Sequence, residues 1–288
     1  MRISSRLHFV LALVFVVVGC AVAQEQQLPP RELVRHAIAN EIRDSNGHQG
    51  VLFTYKTKSI KPKQTVVKQI VETPDGTLGR ILSVDGKPLS AEQKQQEDQR
   101  VNRLLDANEM RKKRKSQQED AERTMKMLKA LPDAFIYEQI GTEAAANGHT
   151  LVKLKFSPDP KFNPPTRETL VFQGMSGEMV IDSTAMRLAK IDGTLFKDVS
   201  IGWGIIGRLD KGGRFYVEQS EVYKGHWDTT KMTLHFNGKA LIFKTIRIEE
   251  NEMTWDYKPV EKMNVQQALN FLKNEEAHAA VPSTVAER

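Results

Sequence analysis

Cysteine is almost missing from this chain: Cys20 is the only one in 288 residues. No intramolecular disulfide can form, so the fold has to rest on a buried core and not on covalent cross-links. Long apolar runs are equally scarce. The one clear run, Phe9 to Val18, is ten residues long, too short for a permanent membrane-crossing helix. An excess of one charge is lacking too. Against 36 acidic residues stand 42 Lys and Arg, a formal net charge of +6, which aids solubility more than it marks a nucleic-acid-binding surface. Local catalytic and metal signatures are also absent. No two histidines stand as H-x-x-H or H-E-x-x-H, whereas zinc sites normally draw on three or four convergent donors. There is no G-x-S-x-G, and Ser176 in Gly174-Met175-Ser176-Gly177 lacks the elbow that exposes a nucleophilic serine. No cofactor, metal or nucleic acid is expected, and no catalytic residue is assigned.

What is present begins at the N-terminus. Arg2 and Arg6 give a positive start, the apolar run follows, and the small residues Gly19-Cys20-Ala21-Val22-Ala23 lead into a polar stretch at Gln24. That layout is a bacterial secretory signal over residues 1–23, so a periplasmic protein is expected. Two processing routes fit. Ala21-Val22-Ala23 is an A-x-A site that releases a soluble chain starting at Gln24. Val17-Val18-Gly19-Cys20 resembles a lipobox, which would leave Cys20 acylated and the protein lipid-anchored. Beyond residue 23 the chain is long enough to bury roughly 70 to 75 percent of its extended surface without staples.

Hydrophobic periodicity divides the rest. Val34, Ala37, Ile38 and Ile42 fall on one face of a helix over Arg31 to Asn46, ended by Asn46-Gly47. From Val51 the period drops to two, predicting strands at Val51 to Lys56, Gln64 to Thr73 and Thr77 to Val84. Pro74-Asp75-Gly76 and Asp85-Gly86 supply the turns. Ser90 with Gln93 forms a capping-box pattern opening a charged helical insertion, about 90–131, read as two helices, the second partly projecting. Strands are then expected at Phe135 to Thr142, Thr150 to Phe156, Glu178 to Asp182, Arg187 to Val199, Arg214 to Tyr223, Trp227 to Phe236 and Leu241 to Tyr257. Their short connections favour antiparallel pairing. A last helix, Asn264 to Asn274, precedes a tail expected to be disordered from Glu275. One domain, 24–258, is expected, with 259–288 as helix and tail.

Two local patterns are set aside on context. Gly202-Trp203-Gly204-Ile205-Ile206-Gly207 matches the dinucleotide pattern G-x-G-x-x-G, yet Arg208 to Gly213 reads as a turn leading to a strand. The phosphate-binding function needs a helix there. The basic run Arg111-Lys112-Lys113-Arg114-Lys115 is balanced by Glu109, Glu119, Asp120 and Glu122 and reads foremost as a solvated helix face. Peripheral attraction to anionic headgroups is the functional alternative.

The signal segment, the N-terminal helix, the long antiparallel meander and the inserted helices resemble the outer-membrane lipoprotein carrier (LolA-like) superfamily. The local echo is Gly177-Glu178-Met179-Val180-Ile181-Asp182, a short turn, then Arg187-Leu188-Ala189-Lys190-Ile191-Asp192. The resemblance implies an α+β fold: a strongly curved antiparallel sheet, an open half-barrel with helices on its concave side, around an apolar cavity. It implies binding of a lipid or acylated protein, as carrier or sensor in the envelope. The charged insertion departs from the compact carrier pattern. Several strands are apolar on both sides, which suits a cavity or a second packed layer. Trp203, Ile205, Ile206, Phe215, Phe236 and Phe243 are the candidate lining residues. Met175, Met179, Met186, Met232 and Met253 are compatible with an adaptable lining. An envelope interaction module with a filled core is the alternative, and a hydrolase with a non-local active site is the third reading.

Overall fold

The computed structural model of the chain describes residues 28–45, 50–201, 207–240 and 244–279. Residues 1–23, and Cys20 with them, lie outside the described residues. Helix α1 (Pro30–Ser45) is followed by strands β1 (Leu52–Lys61), β2 (Gln64–Thr73), β3 (Gly76–Val84) and the two-residue β4 (Lys87–Pro88). Helix α2 (Ala91–Asn102) and a 3-10 turn (Arg103–Leu105) lead into the long helix α3 (Ala107–Ala134). Then come β5 (Phe135–Ala144), β6 (Thr150–Pro158), a 3-10 helix (Glu168–Gly174), β7 (Met175–Asp182) and β8 (Arg187–Leu195). Strands β9 (Val199–Ile201), β10 (Gly207–Leu209), β11 (Arg214–Tyr223), β12 (His226–Ala240) and β13 (Lys244–Val260) precede helix α4 (Val265–Ala279).

The strands make one antiparallel sheet in the order β4-β3-β2-β1-β13-β12-β11-β8-β7-β6-β5, with β9 and β10 attached beside β12. The ladder does not return on itself, so the architecture is α+β with an open half-barrel. Local chemistry accounts for most of its corners. Asp85-Gly86 and Lys224-Gly225 hold positive φ, as the tight turns that match strand twist require. The capping box forms: the Ser90 side chain accepts from the Gln93 N–H, and the Gln93 side chain accepts from the Ser90 N–H. Asp106 caps α3 by accepting from the Asn108 and Glu109 N–H groups.

Opposed residues in an antiparallel pair point to the same side, so the register sorts the core by face. One face carries Phe156, Leu154, Met179, Ile191, Phe215, Leu234, Phe236 and Ile248. We call it the inner face. Over its β5–β8 flank α1 buries Leu33, Val34, Ala37 and Ile38, and the end of α3 buries Ala130, Leu131 and Ala134. The other face is covered at the β2–β3 end. There Val71 and Leu78 meet Ala268, Leu269 and Leu272 of α4, with Val101 of α2 and Met110 of α3. Helix α3, about 42 Å long at 1.5 Å per residue, therefore touches both cores and crosses the β2–β3 turn on the way.

That crossing finishes the sheet edge. The outward backbone groups of β3 are met by side chains: Ile81 N–H donates to Glu97 Oε1 at 2.7 Å, and Arg100 donates to Gly79 C=O at 2.6 Å. Gln117 takes the Thr77 N–H at 3.3 Å and donates to the Thr77 C=O at 3.1 Å. An exposed strand edge invites pairing with other chains, and these contacts occupy it.

Several sequence boundaries move. Helix α3 runs past Leu131, through Pro132 to Ala134, although a proline there has no N–H to give to the carbonyl four residues earlier. The tail expected to be disordered from Glu275 is helical to Ala279; no Gly or Pro interrupts it before Pro282. The strand-like run expected over Arg187 to Val199 divides into β8 and β9. Between them Phe196 N–H bonds to Gly174 C=O and Asp198 accepts from the Lys211 N–H, which bends the chain away. Strand β13 continues to Val260, opposite Leu52 of β1.

Candidate ligand-binding cavity

A cavity of about 540 Å³ lies under the second half of α3, on the inner face of the sheet. Its floor is Leu188 and Ile191 of β8, Phe215 of β11, Leu234 and Phe236 of β12 and Ile248 of β13. The register brings these six together: Phe215 stands opposite Leu234, and Phe236 opposite Ile248. Its roof is Met127, Leu128 and Leu131 of α3 with Val171 and Phe172 of the 3-10 helix. Spacing of three and four places Met127, Leu128 and Leu131 on one stripe of an otherwise charged helix. Polar side chains occur only at the rim, where Arg123, Thr124 and Arg167 are exposed and Glu168 is half-buried. The volume falls in the usual range for a small-molecule site.

Small residues let the floor close. A Cβ at Gly213 would overlap the Phe236 ring, and one at Gly193 would come within 2.8 Å of the Met175 sulfur. Met175 thereby reaches the cavity wall. Of the other methionines, Met179 is fully buried in the core, while Met253, on the opposite face, is 43% exposed.

Towards β1 the inner face turns aromatic and polar. Phe53 stacks on His226 at 4.4 Å between ring centres, and Tyr55 on Tyr257 at 4.7 Å. The Tyr257 hydroxyl lies 3.0 Å from Asp228 Oδ2 and 3.0 Å from Thr254 Oγ1. Burial, and then the Asp228 carboxylate, push the Tyr257 phenol well above its ordinary range. Burial raises the Glu252 carboxyl above its usual value, helped by Glu250 and opposed by Lys68 and Lys61. Ion pairing elsewhere braces the frame. Arg187, at the start of β8, is held by Glu41 and Asp44 of α1. His149 and Asp182 pair at 2.7 Å, and the other Asp182 oxygen accepts from the Thr184 and Ala185 N–H groups, which makes the pair a turn brace for the β7–β8 hairpin.

Of the six lining candidates, Phe215 and Phe236 stand on the cavity floor. Trp203, Ile205, Ile206 and Phe243 lie outside the described residues. The glycine pattern ends at Gly207, which begins strand β10 and not a helix. The roof from α3 and the 3-10 helix was not among the candidates; the Met127, Leu128, Leu131 spacing was the available signal. Among the described residues no group of three or more His, Cys, Asp or Glu is placed to hold a metal, and no helix is long and apolar enough to cross a membrane.

No family model and no curated protein matches this sequence. Among solved structures the chain is similar to a DUF1329 family protein from Desulfovibrio piger ATCC 29098, with 10% identity and a TM-score of 0.25. The match covers 82% of this chain and 96% of that one. A likeness this loose assigns neither mechanism nor ligand.

Proposed function

We propose that this is an exported, non-enzymatic protein of the cell envelope that binds an apolar ligand, a lipid or an acyl chain, as carrier or sensor. The single observation that carries the reading is the 540 Å³ cavity, whose floor and roof are apolar side chains and whose polar groups stand only at the rim. Affinity would come from taking methylenes out of water, at about 0.8 kcal/mol each. Release then calls for another apolar acceptor, since water returns the whole cost. The export half of the proposal rests on the charge, apolar run and small-residue layout of residues 1–23.

The test is native mass spectrometry of the protein expressed with its own N-terminal segment, followed by solvent extraction. Lipid bound at a fixed ratio is the expected result, and the same spectrum distinguishes a chain starting at Gln24 from one acylated at Cys20. Leu128→Trp fills the roof and is expected to abolish uptake with the fold retained. A protein that arrives empty and refuses added lipid would overturn the reading.

A further inference from the structure

The apolar cavity has a cationic neighbour. A second, more open hollow of about 720 Å³ lies between α1, the end of α3 and the loop after β6, lined by Arg31, Lys126, Lys129 and Lys161 together with Asp133 and Asp159. Its cations are unequally neutralised. Arg31 bonds Asp159 at 2.7 Å, and Lys126 faces Glu168 at 3.8 Å, whereas no ion pair is formed by Lys129 or Lys161 among the described residues. Asp133 is taken up by Arg35, outside the hollow. The two hollows are adjacent, because Lys126 lines the groove and its partner Glu168 lines the cavity rim. Arg167, exposed on that rim next to Glu168, also forms no ion pair among the described residues.

Resting on the cavity reading above, we infer that the ligand is an amphiphile with an anionic head: its tail fills the cavity under α3, and its carboxylate or phosphate lies at the rim and groove against Arg167, Lys129 and Lys161. The chemistry of the two compartments selects this class. An apolar chamber alone binds any hydrocarbon, and the excess of Lys and Arg over carboxylates beside it distinguishes an anion from a neutral head of equal length. Opposed charge at such a rim also steers the free ligand towards the opening, with an effect that salt weakens. The Glu168 carboxyl on that rim is held below its usual range chiefly by its own backbone N–H, with smaller contributions from Lys126 and Arg123.

The test compares dodecanoate with dodecanol by isothermal titration calorimetry at low salt. The anion is expected to bind at least about tenfold more tightly, as charge-assisted contacts do relative to neutral ones, and the ratio is expected to shrink in high salt. The triple change Lys129→Gln, Lys161→Gln, Arg167→Gln should bring the ratio towards one. Removing charge on other surfaces, by Lys155→Gln and Lys262→Gln, should leave it intact. Lysophosphatidylglycerol in place of dodecanoate identifies the source: tighter binding assigns a phosphate head, weaker binding a carboxylate, and both support the anionic class. Equal affinity for dodecanoate and dodecanol in the native protein would overturn the anionic head and leave the cavity standing. No binding of either would overturn the cavity reading itself.

Discussion

The inner face of the sheet has two spans built from the same kinds of residue, one filled and one hollow. Over β5–β8, α1 lies on the strands and delivers four apolar side chains, so that Leu154, Phe156, Met179 and Ile181 are fully buried. Over β11–β13 the cover is α3, whose Met127 and Leu128 are only half-buried, and beneath them Phe215, Leu234 and Ile248 keep part of their surface open. Composition does not distinguish the spans. The cover does: α3 is fastened by Met110 in the α4 core and by Ala134 in the α1 core, and the stripe Met127, Leu128 and Leu131 just before that second anchor roofs the cavity. A helix anchored at both ends bridges the face between them.

Four measurements can break or sharpen this contrast. The largest effect is expected from Leu154→Ala, at a position with no exposure. It should cost about 2–5 kcal/mol in urea unfolding, from lost burial plus an unfilled hole. Leu272→Ala tests whether the α4 cluster is filled in the same sense; it too has no exposure, and a loss of about 2–4 kcal/mol is expected from the shorter helix-on-sheet contact. Leu234→Ala, on the hollow span, should cost about 1 kcal/mol or less, since the space it vacates adjoins one already empty. A loss as large as that of Leu154→Ala would erase the contrast.

The smallest effect concerns pH. Burial raises the Glu252 carboxyl above its usual 4.5, so the folded state holds that proton more tightly than the unfolded chain. Its contribution is complete below the unfolded value and is lost as pH rises through the folded one. In Glu252→Gln the melting temperature, relative to the native protein, should therefore improve as pH climbs from about 4.5 towards neutrality. A difference that stays flat, or moves the other way, would place Glu252 in water and remove polar burial from the hollow side.

Much of the frame was legible beforehand, for local reasons. The observed ends of strands β2 and β11 match the runs Gln64 to Thr73 and Arg214 to Tyr223, and Asp85-Gly86 announces its turn. The Ser90 and Gln93 pair announced the start of α2. Phe215 and Phe236 are lining candidates because their strands are rich in apolar residues, and the register sets them on one floor. The roof was legible only as a faint apolar stripe. Met127 and Leu128 sit among Arg123, Lys126 and Lys129, and a charge-rich helix reads as solvated unless one knows where its two ends are fastened. The split of the helices between two faces was hidden for a similar reason, because only the ladder shows that Val71 and Phe236 point to opposite sides.

The contact between Gln117 and Thr77 has a consequence for growth as well as for shape. A carboxamide carries one carbonyl and one N–H donor set, as a peptide group does, so β3 is offered what the next strand would offer it. The likeness stops after a single residue, since a glutamine side chain has no backbone continuing on its far side to present to a newcomer. Polymer chemists stop a reaction in this way, by adding a monomer with one reactive end. At this end the sheet is terminated by a group that can accept the last bond and extend nothing.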